Sequence, residues 1–102
     1  MLVEWSEFAE EDLDYYVQYI SRDSVFYAQQ FGERIVLATK RLQDFPESGR
    51  AIPEAGDDAL REVIVQGYRV MYRLETHRVL ILAVIDGSRD LSNPKNQPWD
   101  SN

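Results

Sequence analysis

With 102 residues the chain has room for one hydrophobic core and not for two, so a single domain is expected. It contains no cysteine, which excludes disulfides, thiolate nucleophiles and cysteine-held metals, and its 44% hydrophobic and 28% charged content excludes wholesale disorder. A net charge of −7 argues against a protein that coats nucleic acid by charge alone.

Leu2-Val3-Glu4-Trp5 alternates in character and reads as a short strand. Ser6 then stands as an N-cap, followed by Glu7, Glu10, Glu11 and Asp12 where the helix dipole favours acids. Ala9, Leu13, Tyr16, Val17 and Ile20 recur at helical spacing and predict a helix over residues 7–21. Ser24 caps a second helix, whose Ala28, Phe31, Ile35, Ala38, Leu42 and Phe45 form one apolar stripe. The tight link between them predicts an antiparallel helical hairpin. Pro46 to Arg50 ends the second helix, and residues 46–59 read as an ordered loop punctuated by Ile52.

Three strands are predicted next, Leu60–Gln66, Tyr68–Leu74 and Arg78–Ile85, with tight turns at Gly67 and at Glu75-Thr76-His77. The segment from Ser92 to Asn102 holds two prolines and three asparagines and reads as a loose tail beyond a domain of residues 1–91. The order β-α-α-β-β-β predicts an α+β fold, with the hairpin on one face of a small, mainly antiparallel sheet. Alternation in the middle strand puts Tyr68, Val70, Tyr72 and Leu74 beneath the helices. Arg69, Met71 and Arg73 then face outward, for a partner.

Charge is unevenly placed: residues 1–60 carry 13 acids and 5 Lys/Arg, residues 61–102 carry 5 acids and 6 Lys/Arg. A basic face can persist on an acidic protein, because fields decay over about 8–10 Å at physiological salt. The start has acids where a secretory signal has basic residues, and the longest apolar run, Val79 to Ile85, is too short to span a bilayer. A cytoplasmic protein without membrane contact is expected.

Five segments in order resemble the RelE/ParE toxin family, and its ParE branch most: Val3-Glu4-Trp5-Ser6, Phe45-Pro46-Glu47-Ser48-Gly49-Arg50, Leu60-Arg61-Glu62-Val63-Ile64-Val65, Tyr68-Arg69-Val70-Met71-Tyr72-Arg73 and Asp86-Gly87-Ser88-Arg89-Asp90-Leu91. The likeness runs over about residues 3–91. It implies the family fold and a bacterial type II toxin–antitoxin pair in which a cognate antitoxin wraps and neutralises the toxin. ParE-type toxins act on DNA gyrase, whereas RelE-type relatives cleave messenger RNA on the ribosome.

Cleaving RNA through its 2′-hydroxyl needs a base, an acid and a cation for the phosphorane. Arg61, Arg69, Arg73 and Arg89 are the candidate phosphate clamps. The acid and base are missing: Asp86 and Ser88 stand where the family often has a histidine and a basic residue, and no tyrosine follows Arg89. His77, the sole histidine, reads as a solvated turn residue, and the acids of residues 10–14 as solvation and dipole partners. No metal or cofactor is expected. Tyr15, Tyr16, Tyr19, Phe26, Tyr27 and Phe31 are too many for one helical stripe, so some, such as Tyr19 or Phe26, are candidates to meet a partner, while a core or snorkelling role is the first reading for any one of them.

These residues point to a toxin that blocks gyrase by binding, without sequence-specific nucleic-acid contacts of its own. Arg69, Met71, Arg73, Val63 and Arg89 are its expected antitoxin- or target-binding residues. The alternatives are a RelE-like ribosome-dependent endoribonuclease and a non-toxic antitoxin-binding module.

Overall fold

A computed structural model describes residues 1–100. Strand β1 (Leu2–Trp5) leads into helices α1 (Glu7–Ser21) and α2 (Val25–Lys40), then β2 (Arg50–Ala51), β3 (Leu60–Val65), β4 (Tyr68–Leu74) and β5 (Arg78–Asp86). Both helices start where a serine supplies the cap: Ser6 Oγ accepts from the Ala9 N–H at 3.1 Å and Ser24 Oγ from the Tyr27 N–H at 3.1 Å. A 3₁₀ turn at Arg41–Gln43 finishes α2 and seats fully buried Leu42. The two helices touch closely at Gly32, where an added Cβ would lie 3.5 Å from a Val17 methyl.

The sheet runs β1-β5-β4-β3-β2 and is antiparallel except for β1, which pairs parallel with β5. This mixed sheet beside two helices is the expected α+β arrangement, with one strand more than foreseen. Arg50 and Ala51, within the expected loop, pair with Glu62 and Arg61 as a two-residue edge strand. So short a strand carries no readable alternation. The β3–β4 turn is made by Gln66 (φ 51°) and Gly67 (φ 82°), the left-handed pair that a two-residue hairpin needs.

Each face of the sheet has its own core. Against the helices lie Val70, Tyr72, Val79, Ile81 and Val84, interleaved with Ala9, Phe31, Ile35 and Leu42. Tyr68 is clasped there between Tyr16 and Phe31, each ring centroid 4.8 Å away. The opposite face is not open, contrary to the expected outward surface. Ile52, Leu60, Met71, Leu82, Ala83, Ile85, Leu91 and Trp99 form a second buried cluster on it. Its cover is the 52–59 loop on one side and the C-terminal segment on the other. That segment folds into 3₁₀ turns at Pro94–Asn96 and Pro98–Asp100 and lays Trp99 on the sheet. Ser101 and Asn102, the end of the tail expected to be loose, lie outside the described residues.

Candidate functional site

The candidate arginines divide between the two faces. Arg69 and Arg73 do project away from the helices, but Arg69 is nearly buried and engaged on every side. Its Nε donates to Glu62 Oε1 at 2.7 Å, and Nη1 and Nη2 donate to the two oxygens of Glu54 at 2.9 and 2.7 Å, a bidentate clasp. Glu62, its side chain fully buried, also accepts from Arg50 Nε at 2.8 Å. The Glu54 hydrogen bonds, then those of Glu62, hold the Arg69 guanidinium charged well above its usual range, against the opposing effect of burial. In return, Arg69 holds the Glu54 carboxyl below the ordinary carboxylate value.

Met71 beside it is completely buried, so the outward surface of two arginines flanking an exposed methionine does not exist. The expectation failed because alternation tells which face a side chain takes, not whether another segment covers that face. Arg73, about a quarter exposed, donates from Nη2 to the Trp99 carbonyl at 3.3 Å and lies 4.0 Å from Glu75.

Arg61 and Val63 take the helix side. Val63 packs against the main core, across the sheet from Met71. Arg61 Nη1 donates to the Gly49 carbonyl at 2.9 Å, while its buried Nε has no partner among the described residues. Tyr72 helps tie down the same loop: its hydroxyl donates to the Pro46 carbonyl at 2.7 Å and accepts from the Gly49 N–H at 3.1 Å. The fit leaves no room for a side chain at Gly49, where a Cβ would sit 2.6 Å from that hydroxyl. Burial raises the Tyr72 phenol, which keeps it a neutral donor. Arg89 stands apart, exposed in the segment after β5. The four arginines therefore do not converge on one phosphate.

Sequence reasoning missed Glu54, Glu62 and Trp99. The one available signal was Glu62, an acid placed by alternation on the same face as Arg69 in a neighbouring strand. His77 is exposed in its turn. No group of three His, Asp or Glu side chains among the described residues could hold a metal ion, and no helix there is long and apolar enough to cross a membrane.

A different surface is open. Tyr15, Tyr19, Phe26 and Tyr27 are each more than half exposed, at the end of the hairpin where α1 hands over to α2. Tyr15 and Tyr19 stack at 6.4 Å, Phe26 meets Tyr27 edge-on at 5.5 Å, and the Arg22 guanidinium lies 5.7 Å from the Tyr19 ring centre. Tyr16 and Phe31, from the same group of six aromatics, turn inward onto Tyr68.

Residues 3–91 match the family described as ParE toxin of type II toxin-antitoxin system, parDE. Among solved structures, the chain is similar to one described as the chromosomal ParDE TA system from P. aeruginosa. The TM-score is 0.69, with 22% identity, over 84% of this chain and 95% of that one. Comparison with curated proteins gives no match.

Proposed function

The chain belongs to the ParE toxin family of type II toxin–antitoxin systems, and from that premise we propose that it inhibits DNA gyrase by binding, in the cytoplasm, until a cognate antitoxin covers it. The observation that carries the reading is the commitment of its arginines. Glu54 and Glu62 occupy Arg69, the Trp99 carbonyl engages Arg73, and Arg61 is turned to the helix side against Gly49. A phosphate clamp would have to break these contacts, and neither a histidine nor a free carboxylic acid stands beside Arg69 to move a proton. A binding toxin needs only a surface. The exposed Tyr15, Tyr19, Phe26 and Tyr27 supply amphipathic rings of the kind that dominate protein interfaces.

In this reading Arg89 remains available as a direct contact, while Arg73 offers only the part that its bond to the Trp99 carbonyl leaves exposed. Arg69 and Met71 act from beneath, by shaping the loop and tail that a partner would touch. The working unit is the domain of residues 1–91, with the remaining segment as its clasp.

The test is a pair of assays on purified toxin. Supercoiling by gyrase should fall at stoichiometric toxin and return when antitoxin is added. Intact supercoiling at excess toxin, together with cuts in messenger RNA on translating ribosomes, would establish the RelE-like reading instead.

A further inference from the structure

Of the five arginines after residue 60, four donate side-chain hydrogen bonds within the chain: Arg61, Arg69, Arg73 and Arg78. Arg89 alone donates none among the described residues. It lies on the rim of a cavity of about 270 Å³ between the free end of β5, the start of α1 and the C-terminal segment.

The cavity has a definite origin. β1 stops pairing at Ile81, so the rest of β5 has an open edge. A register shift between Met71 and Tyr72 sets Met71 opposite Ala83 and Tyr72 opposite Ile81, with Leu82 as the extra residue. Leu82 and Ala83 consequently fall on the same face and close the base of the cavity, and the apolar wall left open to it is Phe8, more than half exposed. The open edge is closed to another strand, because Asp12 Oδ2 accepts the Val84 N–H at 3.0 Å and the Tyr16 hydroxyl accepts the Asp86 N–H at 3.3 Å. What remains open is a pocket for a group the size of one residue.

Its polar side chains are four: Arg89, Lys95, Asp12 and Asn96. Arg89 and Lys95 stand at the mouth, and the Lys95 ammonium, like the Arg89 guanidinium, makes no hydrogen bond or ion pair within the described chain. Asp12, half-buried in the wall, contributes an acceptor. Two cations against one carboxylate make this a locally positive spot on a protein of net charge −7.

We propose that this pocket captures the C-terminal residue of a partner polypeptide. Arg89 and Lys95 take the terminal carboxylate, the exposed Phe8 ring packs against a medium-sized apolar side chain, and Asp12 accepts the last amide N–H. A neutral amide end lacks the charge, an internal glutamate lacks the adjacent apolar group, and a bare small carboxylate lacks the chain that continues past Asp12. This assignment is independent of gyrase as the target.

The experiment titrates the intact ¹⁵N-labelled protein with a peptide of six residues ending in leucine with a free carboxylate. Amide shifts should concentrate at Val84, Ile85, Arg89 and Lys95 and saturate with a Kd of about 1 mM or below. The same peptide amidated at its end should bind at least tenfold more weakly, and Arg89→Gln should weaken the free-acid peptide by about tenfold. Arg89 is exposed, so that variant should unfold at the parent's temperature. N-acetyl-leucine should bind more weakly than the peptide. Equal binding of acid and amide, full binding by the Arg89→Gln protein, or no saturable shift would each overturn the proposal. N-acetyl-leucine binding as tightly as the peptide would reassign the pocket to small free carboxylates.

Discussion

The two faces of the sheet hold their covers by different physics. On the helix side, Phe31, Ile35 and Leu42 interdigitate with Val70, Val79 and Ile81, and apolar burial at roughly 25 cal/mol per Å² dominates. On the far side a small apolar cluster shares its area with a charge network, Arg50–Glu62–Arg69–Glu54, whose central pair Glu62 and Arg69 is buried. Burying such a network offsets much of its Coulombic gain against desolvation, so it adds little net stability while it stands. Broken, it strands a charge. The first face should therefore respond to lost volume, the second to lost partners.

Phe31→Ala should give the largest effect, about 4 kcal/mol of unfolding free energy by urea titration, because the ring is buried against Tyr68 and the cavity cannot fully collapse. Glu62→Ala should follow at about 3 kcal/mol, since it deprives buried Arg69 of one carboxylate. The paired change Glu62→Leu with Arg69→Met sharpens the contrast. It should recover most of that loss, and a double variant no better than Glu62→Ala would show that volume governs both faces. Trp99→Ala should cost about 2 kcal/mol, less than a central core position, because the segment can detach and leave the rest folded.

The smallest effect is titratable. Arg69 holds Glu54 below its ordinary value of 4.5 in the folded chain, so the stability it adds is present above that pH and lost as pH falls through the lower folded value. Asp12 works oppositely: burial raises it above 3.8, so its ionisation opposes folding at neutral pH and that penalty fades on acidification. Glu54→Gln should thus destabilise by under about 1 kcal/mol at pH 7 and by less at pH 3, compared by urea unfolding at each pH.

The helix side was legible in the sequence because it is periodic. Ala28, Phe31, Ile35 and Leu42 announce a stripe at helical spacing, Ser6 and Ser24 announce its caps, and Tyr68, Val70 and Tyr72 alternate beneath it. Nothing periodic announces the other face. Ile52 and Trp99 are lone apolar residues in polar, proline-bearing segments, and their pairing with Met71 spans dozens of residues of chain. Arg69 was assigned to its proper side and misjudged as free, because Glu54 and Glu62 reach it from two separate segments, with Arg50 pairing to Glu62 behind it. The ParE-like order of segments identified the family where no single side-chain pattern would have done so.

The strand order carries a consequence for biosynthesis. β1 precedes both helices in the chain, yet its strand neighbour is β5, whose paired residues begin at Arg78. A nascent chain can form its helical hairpin early, but cannot complete the sheet until β5 has been made and Leu2 can meet Arg78. Chains cut short before β5 therefore lack the strand on which both β1 and β4 pair. In a member of a toxin family, that ties the complete sheet to chains that have passed β5.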